Sequence, residues 1–180
     1  MNDDPGKILL TLARHAIADE LGIERAADPQ HATLLQPGAT FVTLTENGRL
    51  RGCIGTLEAC RPLGEDVCAN ARAAAFRDPR FTPLSRDEFT KVRVEVSLLT
   101  PAQEMSFTDE EDALRQLHPG IDGVILVAGQ HRATFLPQVW ESLSEPRKFM
   151  AELKYKAGLP SGYWNNDVKL SRYTVKKWKE

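Results

Sequence analysis

The chain has 180 residues, with 23 Lys and Arg against 25 Asp and Glu (net charge −2), 42% hydrophobic and 27% charged residues. A chain of this length buries roughly 70% of its unfolded surface without a disulfide or metal staple, and this composition excludes intrinsic disorder and a uniformly basic nucleic-acid binder. The acidic opening Met1–Asp4 has neither the basic nor the apolar region of a secretory leader, and the longest apolar run, Val124–Ala128, falls far short of the ~20 residues of a membrane span. A protein of the cytoplasm is the expectation.

Pro5, then Leu9, Leu10, Ala13, Ile17 and Leu21 at helical spacing, then Gly22, predict an opening amphipathic helix. Glu24 to Gly38 is polar and aperiodic, so a connector or covering loop is expected, with His31 on its surface. Phe41–Thr45 and Leu50–Ile54 flank Asn47-Gly48, a strong hairpin signal. With a two-residue loop and an unbroken ladder, 44 faces 51 and 42 faces 53. The register sets Cys53 on one face with Val42, Leu44 and Arg51, in a hairpin that is apolar on both sides and expected to be central.

Pro62 starts a second helix with Glu65 and Asp66 in its first turn, where the helix dipole favours acids. Leu63, Val67, Ala71, Ala74 and Ala75 give it a packing face, and Asp78-Pro79 stops it. Ser85 and Glu88 match a capping box for one short turn, after which Lys91 to Leu98 alternates as a half-buried strand with Arg93, Glu95 and Ser97 on the polar side. Beyond Thr100-Pro101 an acidic segment to Asp112 marks a boundary. There follow a hairpin around Ala128-Gly129-Gln130, a helix over 141–157 ended by Gly158, and a last strand over 168–175. Strands and helices interleave without a βαβ rhythm, so an α+β fold with mostly antiparallel pairing is expected. One domain over 1–180 is expected, with 1–101 as the larger part of a main subdomain, 102–165 as a smaller one and 166–180 as a C-terminal strand returning to the main sheet.

The informative run is Arg51-Gly52-Cys53-Ile54-Gly55-Thr56. Two glycines in one strand cost packing and entropy, so Gly52 and Gly55 point to a bulge or to close approach by a backbone or ligand. Arg51, two residues from Cys53, would favour the thiolate as a neighbouring cation, whereas burial between Val42 and Leu44 would oppose it and make Cys53 a structural residue; Glu95 would reach Arg51 if its strand neighbours the hairpin. Cys60 and Cys68 read as inert small hydrophobes, and the odd count of three fits no disulfide framework or zinc pairing. His15, His31, His118 and His131 form no metal-binding or cysteine-protease signature, and no glycine-rich phosphate cradle occurs, so no cofactor is expected. Asp78-Pro79-Arg80-Phe81 is a rigid turn that is either a local Asp-to-Arg pair or, through the guanidinium of Arg80, a contact for an anion or partner. Charge is divided along the chain: residues 147–180 carry 9 basic and 3 acidic side chains, whereas the remainder carries 14 basic and 22 acidic. This basic segment, with Tyr155, Tyr163, Trp164, Tyr173 and Trp178, reads either as a solvated surface completed by core aromatics or, less favoured, as a contact for nucleic acid.

RGCIGT at 51–56, with FVTLTENGRL before it, RPLGEDV at 61–67, DPRF at 78–81, VEVSLLTP at 94–101, DGVIL at 122–126, ATFLPQVW at 133–140 and KAGLPSGYW at 156–164, resembles the AMMECR domain family. Its prokaryotic members are called AmmeMemoRadiSam system protein A. The resemblance runs along nearly the whole chain and implies an α+β fold with a larger, helix-flanked antiparallel subdomain and a smaller one. It also implies membership of a three-protein system with a Memo-like protein and a radical SAM protein, but no particular reaction. Cys60 and Cys68 stand where the family's cysteine is not expected. Two functional expectations follow. One is a thiol-dependent or ligand-binding site with Cys53, Arg51 and Glu95 at its centre. The other is a non-catalytic adaptor or metabolite-binding protein that uses the Asp78–Phe81 turn and the cleft between the subdomains.

Overall fold

A computed structural model describes residues 4–180, so the acidic opening Met1–Asp3 lies outside the described residues. The fold is α+β, with two sheets in which every pairing of known register is antiparallel. Contacts divide the chain into two units, one running to Leu99 and taking up Lys176–Glu180, the other Thr100–Val175.

In the first unit, α1 (Pro5–Leu21) is capped by Asp4, whose carboxylate accepts from the Gly6 N–H, and ends on Gly22 at φ 66°. Its apolar stripe is buried: Leu9, Leu12, Ala13, Ala16 and Ile17 are all nearly inaccessible. The connector contains one 3-10 turn, Ala32–Leu35, which His31 caps by accepting from the Thr33 N–H. Strand β1 (Pro37–Glu46) turns through Asn47 (φ 52°) and Gly48 (φ 76°) into β2 (Arg49–Gly55), the left-handed pair that a tight hairpin demands. A two-residue strand β3 (Arg61–Pro62) pairs with the start of β1 and leads into α2 (Leu63–Phe76). The predicted capping box at Ser85 and Glu88 is present and starts α3 (Arg86–Phe89). Strand β4 (Arg93–Leu99) follows.

The strand order is β2-β1-β4 with one more strand beyond β4, so β1 is central but β2 is an edge. The hairpin is therefore not central as a whole. Val42, Leu44, Val94 and Val96 point to one face, where α1 and α2 cover them in a single apolar core that includes Ala71, Ala74 and Ala75. The opposite face carries Phe41, Thr43 and Thr45 of β1 and Arg93, Glu95 and Ser97 of β4. It is not uniformly solvated, because Ser97 is buried.

In the second unit, β5 (Gln103–Glu104) precedes α4 (Glu110–Gln116), whose N-cap is Asp109, a helix the sequence pattern did not predict. The hairpin of β6 (Gly123–Ala128) and β7 (His131–Phe135) forms around Gly129-Gln130 as expected. The helix expected over 141–157 is shorter. A 3-10 turn covers Pro137–Glu141, and α5 (Pro146–Lys156) begins only where Pro146 can occupy a first-turn position without losing a hydrogen bond. Phe149 of α5 stacks on Trp140 at 3.8 Å between ring centroids, in a core with Met150, Leu153, Leu126 and Leu170.

The segment 166–180 is not one strand returning to the main sheet. Strand β8 (Val168–Tyr173) lies between β5 and β6 in the second sheet, and only β9 (Val175–Lys179) joins the first, beside β4. The break falls at Thr174, whose N–H and carbonyl are taken by the hydroxyl and N–H of Thr100. The exchange of partners explains the poor alternation: each half answers to a different core. Trp178 of β9 lies on Gly6 of α1, where any side chain would strike the indole ring.

Candidate functional site

The β1/β2 ladder starts as the hairpin rule predicts, with Glu46 opposite Arg49 and Thr45 opposite Leu50, and then slips. Leu44 pairs with Gly52 and Thr43 with Cys53, so Arg51 is an extra residue in a bulge. The slip corrects the face assignment. Cys53 is not beside Val42 and Leu44 on the core face; it lies on the face away from the helices, opposite Thr43, which in turn pairs with Glu95 of β4. Its sulfur is 3.3 Å from the Thr43 hydroxyl. One row across three strands thus reads Cys53, Thr43, Glu95.

Arg51 does not join that row. The bulge turns it toward Glu88, whose carboxylate it meets at 2.6 Å, and its Nη2 donates to the Thr82 carbonyl at 2.8 Å. The guanidinium lies on the Phe81 ring, and its Nη1 is buried without a hydrogen-bond partner among the described residues. Chiefly through the Arg51 hydrogen bond, the Glu88 carboxyl is held below its ordinary range. The expected Arg51–Glu95 pair is likewise not formed: Glu95 binds Lys179 at 3.2 Å. Glu88 carries both the capping box and the arginine.

The cation next to Cys53 is Arg80. As an edge residue paired with Thr43, Cys53 points its backbone N–H and carbonyl away from β1, and the Asp78–Phe81 turn satisfies both. Asp78 accepts the Cys53 N–H at 3.0 Å, and Arg80 donates from Nη2 to the Cys53 carbonyl at 3.4 Å. The same guanidinium holds Asp78 at 2.7 and 3.0 Å. Asp78 is buried, and its hydrogen bond from Arg80, reinforced by those from the Cys53 and Arg80 N–H groups, keeps its carboxyl far below the usual carboxylate range. Two side chains thereby imitate a neighbouring strand and close the sheet edge at one residue. Arg80 remains half-exposed, with its Nη1 in no hydrogen bond among the described residues.

The two glycines serve packing. A Cβ on Gly52 would lie 2.0 Å from the Ala74 carbonyl oxygen, so α2 crosses β2 there at a distance only glycine permits. A Cβ on Gly55 would meet the Phe41 ring at 2.2 Å. The space kept around Cys53 is occupied by this chain's own backbone and ring.

The pattern reading missed one polar cluster. Asp66, in the first turn of α2 as expected, is buried and accepts from the Thr40 N–H and hydroxyl, the Thr56 hydroxyl, Arg61 and Asn70. Asn70 adds bonds to the Thr40 carbonyl and hydroxyl. The signal was available: 66 and 70 fall four residues apart within the apolar stripe 63, 67, 71, 74, so they face the core.

The four histidines lie apart, His15 on Asp28, His31 on Thr33, His118 on Asp122 and His131 on the Ala157 carbonyl. Among the described residues no cluster of three or more His, Cys, Asp or Glu is arranged to hold a metal ion, and no helix is long and apolar enough to cross a membrane. Cys60 is exposed, and burial pushes the Cys68 thiol up. In the basic C-terminal stretch, Arg147 pairs with Glu111, buried Lys154 with Glu110 at 2.5 Å, Lys156 with the Thr134 carbonyl and Arg172 with the Gln116 carbonyl. Much of that charge is used within the fold.

The AMMECR1 family profile matches residues 10–178. The chain belongs to the AMMECR1 family. Similar relatives include a protein of Saccharolobus islandicus, 36% identical over 96% of this chain and 80% of its own length, and one of Sulfurisphaera tokodaii, 38% identical over 96% and 81%. Among solved structures, the uncharacterized protein PH0010 of Pyrococcus horikoshii is similar with a TM-score of 0.77 and 34% identity, over 97% of this chain and 91% of that one. The AMMECR1 assignment agrees with the two-sheet α+β fold.

Proposed function

We propose that this AMMECR1 chain is the ligand-binding member of a three-protein system with a Memo-like protein and a radical SAM protein, and that its site is built on Cys53. The observation that carries the reading is the seating of Cys53: its backbone is fixed on both sides by Asp78 and Arg80, while its thiol is directed along a polar row toward Thr43 and Glu95. The backbone bonds close the sheet edge and hold the residue still, and the thiol that they fix faces the polar side of the sheet and not the apolar core. Arg80 supplies a planar cation for a carboxylate or phosphate group of the ligand, and the thiol supplies a soft contact or nucleophile beside it.

Arg80 replaces Arg51 in this role: both are ion-paired, but Arg51 is largely buried against Glu88 whereas Arg80 is half-exposed. Glu95 stays in the site as the far end of the row, paired with Lys179. Thr43 is the hydroxyl on the sulfur, with no histidine bonded to it among the described residues. That arrangement favours a thiol that holds or orients a ligand for chemistry supplied by the partners.

The test is reconstitution with the two partner proteins, followed by mass spectrometry of small molecules retained by the complex. Wild type is expected to retain an anionic metabolite and to support turnover, and Cys53→Ser and Arg80→Gln to lose both. Full turnover by both variants overturns the site. Failure of the wild-type chain to co-purify with either partner overturns its membership of the three-protein system.

A further inference from the structure

A cavity lies in the first unit, away from Cys53. The connector after α1 and its 3-10 turn arch over α1 and the start of α2, leaving a groove of about 720 Å³, within the range of small-molecule sites. Its walls are apolar: Leu12 from below, Pro29, Leu34 and Leu35 from the connector, Pro62 from the start of α2. Leu35 is 76% exposed, an aliphatic side chain held at the groove with nothing packed on it.

The floor is a stripe of α2. Glu65, Cys68 and Arg72 stand three and four residues apart, on one helix face, and all line the groove. Arg72 lies two turns from Glu65, about 10 Å along the helix. Of the other polar lining side chains, Asp28 is engaged with His15 and Arg25, His31 with Thr33, and Gln30 is neutral. Asp19, whose carboxyl feels the Arg72 charge, is gripped by Arg25 at 2.8 and 2.7 Å. Arg72 itself, half-buried, has no hydrogen bond and no ion pair among the described residues. Between the two charges sits the half-buried Cys68, whose thiol is kept neutral by burial and acts as part of the apolar wall.

We propose that this groove binds an apolar-bodied monocarboxylate, its carboxylate on the Arg72 guanidinium and its tail over Cys68, Leu12, Leu34 and Leu35 toward the mouth at Glu65. The acid at the mouth disfavours a second negative group on the ligand, and the engaged state of Asp28 leaves no free carboxylate beside Arg72 for an ammonium headgroup. The site is independent of the Cys53 reading.

Calorimetric titration of the full chain with decanoate, below its micelle-forming concentration, tests this. Decanoate is expected to bind, and decanedioate and decylammonium more weakly. Arg72→Gln is expected to weaken decanoate about tenfold, since a charge-assisted contact is lost, with Arg72→Lys in between. Leu35→Ser, at an exposed position that carries no core packing, is expected to weaken it as well. Bound decanoate is expected to slow alkylation of Cys68 while exposed Cys60 keeps its rate, and Cys53→Ser is expected to change nothing. No binding, equal binding to Arg72→Gln, equal binding of decylammonium or unprotected Cys68 each overturns the proposal.

Discussion

Asp78 accepts the backbone N–H of Cys53 at 3.0 Å from a different segment of the chain, with Arg80 returning a bond to the Cys53 carbonyl. An edge strand is ordinarily open to pairing with another chain. Here one buried carboxylate and one guanidinium occupy that position and fix the cysteine that the sequence singles out.

Asp78→Ala removes the acceptor for a part-buried N–H and the anchor of Arg80 together. A loss of about 3 kcal/mol in unfolding free energy is expected, with Asp78→Asn losing less because its carbonyl still accepts. Urea denaturation of the two variants measures both. An effect below about 0.5 kcal/mol for Asp78→Ala would show that the turn does not hold the strand.

Acid stability carries the same signature. The Asp78 carboxyl, held low chiefly by Arg80, and the Glu88 carboxyl, held low chiefly by Arg51, are both more acidic folded than unfolded. The unfolded chain therefore binds more protons on acidification. Their contribution is complete above the unfolded values near pH 4 and is lost as pH falls through the folded ones. Unfolding free energy is expected to be insensitive to these groups from pH 5 to 7 and to decline below about pH 4, with a shallower decline in Arg80→Gln. Parallel slopes in the two proteins contradict the Asp78–Arg80 assignment.

The glycines separate by what they touch. Gly52→Ala forces a Cβ against the α2 backbone and is expected to cost about 3 kcal/mol, whereas Gly55→Ala meets the Phe41 ring, which can turn aside, and costs less. Thermal unfolding of both variants checks the order. Equal small losses would mean that α2 and β2 are further apart than described.

Asn70→Ala is expected to cost about 2 kcal/mol, because the Thr40 carbonyl and the Asp66 carboxylate each lose a donor inside the core. Arg61→Ala, whose guanidinium is partly solvated, is expected to cost less. Both are read from denaturant midpoints.

These positions also mark where the sequence was legible. Helices α1 and α2, the Asn47-Gly48 turn and the Ser85 capping box are local signals, decided by residues within a few positions of one another, and all appear in the fold. The two glycines announced a bulge or a close approach, and both are present, but the place of the bulge at Arg51 is not a local signal. It follows from the close crossing at Gly52 and the pull of Glu88, and a slip of one residue carries Cys53 to the opposite face of the sheet. Arg51 therefore looked like the partner of Cys53, while Arg80, 27 residues away, holds that place. The split of the last strand at Thr174 was hidden for the same reason: its two halves are sorted by separate sheets. Cys53, Gly52, Gly55, Asp78, Arg80 and Glu95 were each visible as residues, but their pairing depends on the tertiary ladder.

The most direct test compares alkylation of Cys53 and Cys68, both half-buried, in the native chain at pH 7, followed by peptide-level mass spectrometry. Cys53, beside the Arg80 cation, is expected to react faster than Cys68, whose thiol burial pushes up, and Arg80→Gln is expected to slow Cys53 and narrow the difference without removing it. A Cys53 that reacts no faster than Cys68, or whose rate is unchanged by Arg80→Gln, contradicts the assignment of this site.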